Sequence, residues 1–136
     1  MSDIIDVYII DPELREITRS TLDKSKPEPL YKQMASQLHC DLIDCAGVID
    51  GDSVWVDDEG LCKANAYLQL EGVTSQPLAG RVMVTGTDFS DGSTVSAEVS
   101  STEILKRLFW VESLDDLLVV SFATADQDKT GKEVAV

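Results

Sequence analysis

Two short apolar runs in the middle of the chain have the β-branched and aromatic character of strands: Val54-Trp55-Val56 and Val82-Met83-Val84. The segment between them is rich in glycine, so the pattern predicts two strands connected through compact turns. A third apolar run covers residues 4–10 and ends at the turn opener Asp11-Pro12. The looser alternation over residues 16–21 predicts its partner strand, and the two segments together predict a hairpin.

Helical spacing appears in two places. Apolar residues over 30–38 recur near the period of an α-helix, and the prolines just before them are tolerated at a helix start. Ser100, followed by Glu103, predicts the N-cap of a second helix of about two turns that ends near Leu108. Residues 65–70 alternate in a way that fits either a short strand or a helical turn.

These elements predict one α+β domain over residues 1–122, with a mixed or antiparallel sheet of about five to six strands and two helices packed on it. Residues 109–111 are predicted to be a short buried segment, in which Trp110 is either a core residue or an exposed docking anchor. Residues 117–122 predict a last strand, and the polar residues 123–136 predict a disordered C-terminal tail.

Negative charge is the strongest global feature of the composition. The chain has 25 acidic and 11 basic residues, a formal net charge of -14 at pH 7. Such a chain repels nucleic acid phosphates and anionic membranes, so we expect no direct binding to either. Two interpretations of the charge remain open: it keeps the protein soluble, or it forms an acidic surface that imitates a phosphate backbone and occupies a basic groove on another protein.

The distribution of charge favours a concentrated surface. No lysine or arginine occurs between Lys32 and Lys63, whereas seven acidic residues do. Residues 39–46 could form a strand, and the hairpin turn predicted at Asp50-Gly51 would pair it with residues 53–57 and bring part of this segment together. We therefore predict a partner-binding surface formed by Asp50, Asp52, Asp57, Asp58 and Glu59. The predicted partner is a host or mobile-element protein with a basic surface.

Asn65, Tyr67 and Arg81 form a second candidate site. The planar guanidinium of Arg81 could grip a small anionic ligand or a partner's carboxylate in a pocket near Asn65. The structural alternatives are a salt bridge from Arg81 to a carboxylate and a local turn stabilised by the side chain of Asn65.

No pattern predicts a metal, a cofactor or a catalytic group. The consecutive acids 57–59 lack the alternating spacing of a calcium loop and fit an exposed turn ending at Gly60. His39, Cys40 and Cys45 lack the spacing of a zinc site, and no phosphate-binding glycine loop or nucleophile elbow occurs. We expect a non-enzymatic protein without cofactors. The three cysteines and the acidic N-terminus lead us to expect reduced thiols and a cytoplasmic location.

The order of features resembles a family of small proteins of unknown function found in bacteriophages, plasmids and other mobile elements. The shared pattern comprises Asp11-Pro12-Glu13 after the first strand, the helix end at 38–41, the run 56–61, Asn65-Ala66 and the segment 77–86.

The resemblance covers residues 4 to about 95. It implies an α+β domain, a phage or plasmid origin and a cytoplasmic setting in the host, and it implies no activity.

Overall fold

The computed structural model describes residues 3–59, 66–74 and 76–111, which contain nine strands and two helices. In chain order these are β1 Ile4–Asp11, β2 Glu16–Asp23, α1 Leu30–Gln37, β3 Ile43–Ile49, β4 Asp52–Asp57, β5 Tyr67–Leu70, β6 Leu78–Ala79, β7 Val82–Asp88, β8 Ser93–Val95, α2 Ser101–Arg107 and β9 Leu108–Val111. Within the described ranges, neither helix is long and apolar enough to span a bilayer.

The main sheet is antiparallel and has six strands. Five of them lie in the order β2-β1-β7-β4-β3, and β8 pairs with the end of β7. A smaller sheet, which the sequence did not predict, has the order β6-β5-β9. The prediction of an α+β domain with a main sheet of about five to six strands and two helices is confirmed.

Alternation along β1 explains why both faces of the main sheet are buried. Ile5, Val7 and Ile9 face α1 and pack in one core cluster with Met34 of that helix. Ile10 points to the opposite face, where the second cluster joins the main sheet to the small sheet and α2. The main sheet is thus the middle layer of three.

The two central apolar runs of the sequence become neighbouring strands. Val54 of β4 lies opposite Val84 of β7, and both are fully buried in the second cluster. On the other face the indole Nε1 of Trp55 donates a hydrogen bond of 2.9 Å to the hydroxyl of the buried Thr85. This bond gives the indole N–H of Trp55 and the buried hydroxyl of Thr85 a partner.

The β3–β4 hairpin differs from the prediction in the extent of its first strand. The strand predicted within residues 39–46 runs from Ile43 to Ile49, because the turn is only Asp50-Gly51. Both turn residues have positive φ, 48° and 91°, as a type I′ turn requires. A bulge between Cys45 and Gly47 adds one residue to β3.

Other predictions have mixed outcomes. The cap of α2 is confirmed, since the Ser100 side chain accepts the backbone N–H of Glu103. Phe109 was expected to be buried, but 51% of it is exposed, whereas Trp110 packs partly buried against the second core cluster. The strand predicted over 117–122 and the tail 123–136 lie outside the described residues.

Candidate functional site

Asp52 does not contribute to a surface. It is 3% exposed, and its Oδ2 accepts the backbone N–H groups of Glu98 and Val99 at 2.8 Å each. Asp52 belongs to the face of β4 that also presents the buried Val54 to the second core cluster. Its carboxylate therefore joins the hairpin to the segment that leads into α2.

Asp50 lies at the turn of the hairpin and is exposed, but it has a cationic neighbour. Its Oδ1 is 3.5 Å from Nη2 of Arg107 at the end of α2. The Nε of Arg107 also contacts Glu103 at 3.1 Å. The charge of Asp50 is therefore shared with a local ion-pair network rather than left for a partner.

The remaining predicted acids lie at the other end of the hairpin. Asp57 ends β4, and the backbone N–H of Asp58 donates to the carbonyl of Leu42 at 3.0 Å, which holds residues 57–59 beside the start of β3. Strand geometry separates this end from the Asp50 turn by about 17 Å. We call the acids at this end of the hairpin the open-end cluster: Asp41, Asp44, Asp57, Asp58 and Glu59. They are divided between the two faces of the sheet, since Asp44 lies opposite Val56 whereas Asp57 lies opposite Ile43.

Most of the open-end cluster is solvent-exposed. Asp41, Asp44, Asp58 and Glu59 are exposed, and none of them forms an ion pair with a lysine or arginine of the described residues. Asp57 is half-buried and its Oδ1 accepts the backbone N–H of Glu59, as expected for the predicted turn. In the ranges that the structure covers, no three acidic, thiol or imidazole groups are arranged to hold a metal ion.

Arg81 has partners inside the fold. Its Nε lies 3.4 Å from Oδ2 of Asp11, which is 7% exposed, and its Nη1 donates to the carbonyl of Gln37 at 3.1 Å. The other oxygen of Asp11 accepts the backbone N–H groups of Glu13 and Leu14. Arg81 thus connects the end of β1, the last turn of α1 and the start of β7, and these contacts favour the structural alternative for Arg81.

The other two residues of the predicted pocket are Tyr67 and Asn65. Tyr67 is 7% exposed and packs with Ala79 and Val111 in a small cluster. Tyr67 of β5 lies opposite Ala79 of β6, and Ala79 is close in sequence to Arg81. The fold therefore brings β5 and β6 together. Asn65 lies outside the described residues.

Replacing Arg81 tests its structural role. We expect Arg81→Ala to lower the free energy of unfolding by about 1–2 kcal/mol, because the nearly buried Asp11 carboxylate and the helix carbonyl both lose a charged donor. Arg81→Lys should recover part of this loss. Urea denaturation measures the effect, and a variant as stable as the wild type would contradict this role.

Sequence analysis missed two glutamines that protect the opposite edge of the sheet. Gln33 Oε1 accepts the backbone N–H of Asp23, and Gln33 Nε2 donates to the carbonyl of the same residue, both at 2.9 Å. Gln37 Nε2 donates to the carbonyl of Thr21 at 2.9 Å. The i, i+4 spacing on α1 indicates that the two side chains share a face, but only the packing shows that they cap β2.

Two carboxylates outside the predicted site have altered acidity. Hydrogen bonds from the hydroxyl and the backbone N–H of Ser25 lower the pKa of Asp23. The same pair of groups from Ser93 lowers the pKa of Asp91. Both carboxylates therefore carry their full negative charge at neutral pH.

A comparison with protein-family models places this chain in a known family. The model described as a domain of unknown function, DUF3846, matches residues 5–109, which is most of the chain. The chain belongs to the DUF3846 family. The matched DUF3846 region begins in β1 and ends in β9, so it includes the whole main sheet, both helices and the open-end cluster.

The expected membership of a family of unknown function is confirmed, and the family description assigns no activity to any residue. No curated protein and no solved structure matches the chain.

Proposed function

We propose that this DUF3846 protein is a non-enzymatic interaction protein that binds a basic surface of another protein through the open-end cluster. The observation that carries the proposal is the set of exposed carboxylates at this end, of which Asp41, Asp44, Asp58 and Glu59 have no cationic partner among the described residues. Carboxylates at one end of a hairpin, without counter-charges among the described residues, generate a local negative potential that attracts a basic partner.

The proposed surface is smaller than the sequence prediction and shifted along the hairpin. Asp52 is buried and Asp50 contacts Arg107, so we leave both out. Asp57, Asp58 and Glu59 stay, and Asp41 and Asp44 join them. Leu42, between these two acids, is 64% exposed and supplies apolar area that charged groups alone would lack.

The proposed mechanism is occlusion. The net charge of -14 steers a basic partner toward the protein, and the open-end cluster then covers the basic groove of that partner. We also propose a phage, plasmid or other mobile-element origin and a host or competing-element partner, on the resemblance of the sequence pattern to proteins of such elements.

A charge-reversal pair tests the proposal. We expect Asp58→Lys/Glu59→Lys to abolish capture of basic proteins from a bacterial lysate, because both side chains are exposed and make no ion pair among the described residues. The matched control is Glu13→Lys/Glu16→Lys, which makes the same change in net charge at two other exposed positions. Quantitative mass spectrometry of the captured proteins measures the difference.

The two variants separate a defined surface from a general charge effect. If both reduce capture equally, net charge alone accounts for binding and the open-end cluster is not the surface. If neither reduces it, the proposal fails. The proposal is supported if only the first variant loses capture and if capture by the wild type weakens as salt rises.

A further inference from the structure

The two edges of the main sheet differ. At the β2 edge, side-chain amides of Gln33 and Gln37 occupy outward-facing backbone groups. At the β3 edge, the described residues provide no such amide caps, and the side-chain bonds to the backbone are local ones, from Cys40 Sγ to the carbonyl of Leu42 and from Cys45 Sγ to the carbonyl of Gly47. An uncapped edge is a template for another strand.

Hydrogen-bond alternation shows which groups of β3 point outward. The carbonyl of Leu42 accepts the N–H of Asp58, so Leu42 faces β4, and the next residue, Ile43, directs its backbone groups away from β4. The same alternation turns the backbone groups of Cys45 outward. Beyond the bulge, Ile49 and Asp52 close the two-residue turn as a hydrogen-bonded pair. The backbone groups of Val48 therefore also point away from β4.

The side chains at this edge suit an added strand. The bulge places Cys45 and Val48 opposite Trp55 and Ser53 on one face of the sheet, and Cys45 and Val48 are both exposed. Val48 is 53% exposed, although β-branched side chains normally pack against cross-strand neighbours. The stretch before the bulge, residues 42–45, is the regular part that a partner can pair with.

The charges beside the β3 edge indicate which kind of strand can bind there. Asp41 precedes the regular stretch and Asp44 lies within it, and Asp58 and Glu59 lie beside its start. A second copy pairing antiparallel over residues 42–45 would bring Asp44 and the neighbouring acids of the two copies toward each other, which is repulsive. A strand rich in lysine or arginine gains attraction at the same positions.

We propose that the edge of β3, which pairs with no further strand of the described residues, binds an extended basic segment of the partner protein as an added β-strand. The backbone groups of Ile43 and Cys45 pair with the segment, and the open-end cluster binds its basic side chains. This inference rests on the proposed function and adds the binding mode and the class of partner segment.

A synthetic peptide of alternating lysine and valine is the probe, and its N-methylated form is the matched control with equal charge and no backbone donors. We expect the unmodified peptide to bind the full chain at least about tenfold more tightly, because N-methylation removes the strand hydrogen bonds. Cys45→Pro should weaken binding of the unmodified peptide by about the same factor, since it removes an outward N–H that has no acceptor among the described residues.

Circular dichroism and the melting temperature of Cys45→Pro verify that the variant is folded, and the N-methylated peptide tests the proposal on the wild type regardless. Equal binding of the two peptides, with loss only in Asp58→Lys/Glu59→Lys, would overturn strand addition while leaving the proposed function standing. A failure of the wild type to bind either peptide would also overturn strand addition, whereas the proposed function is judged separately by capture from lysate. A dimer in sedimentation analysis that Cys45→Pro dissociates would assign the edge to a second copy and overturn the proposal.

Discussion

Asp52→Ala should destabilise the fold by about 2–4 kcal/mol, a large effect for an acidic residue in a chain this acidic. The substitution leaves the backbone N–H groups of Glu98 and Val99 without their acceptor, and Val99 is only 6% exposed. It also disconnects the β3–β4 hairpin from the segment that enters α2. The midpoint and slope of urea unfolding measure the change.

Asp50→Asn is the matched control for Asp52→Ala. It removes a carboxylate two residues away, at an exposed position with positive φ that asparagine tolerates. Only the 3.5 Å contact with Arg107 is lost, so we expect a cost below about 1 kcal/mol. Equal stabilities of the two variants would show that Asp52 is not the acceptor described above.

Gly86→Ala should have an effect of similar size by a different route. A Cβ on Gly86 would overlap the carbonyl oxygen of Ser96 and lie 3.0 Å from the carbonyl carbon of the same residue. Because the obstacle is backbone, relief requires the segment after β8 to move away from β7. We expect a loss of about 2–3 kcal/mol in the free energy of unfolding.

Gly92→Asn controls for the loss of a glycine. Nothing lies within 4 Å of a Cβ at Gly92, and its φ of 78° is accessible to asparagine. We expect this variant to stay within about 1 kcal/mol of the wild type by urea unfolding. Similar losses at both glycines would mean that the close approach to Ser96 does not determine the effect.

The burial of Asp52 could be predicted from its position in the alternation along β4, although its charge suggests exposure. Asp52 shares its parity with Val54 and Val56, both of which pack at the second core cluster, so the β4 pattern alone indicates that its side chain points inward. The prediction of a single acidic surface did not take that alternation into account. Asp50, in the turn, is not subject to it.

The contacts of Arg81 were beyond the reach of the sequence. Its partners Asp11 and Gln37 lie 70 and 44 positions away, and no local pattern identifies which carboxylate or carbonyl a lone cation will meet. The same limit applies to the small sheet, in which the two-residue strand Leu78–Ala79 has no periodicity to detect. Long, strongly patterned elements such as the β1–β2 hairpin were predicted because their alternation is local.

Mapping the binding of the lysine–valine peptide by nuclear magnetic resonance tests the central claim most directly. Titration of the isotope-labelled chain with the peptide should shift the backbone amide resonances of residues 41–48 and 57–59. The amide resonances of the β2 edge should stay unchanged. The claim that the open-end cluster and the adjoining edge form the interaction surface would be contradicted by shifts centred on Glu13 and Glu16, or by small shifts spread evenly over all acidic positions.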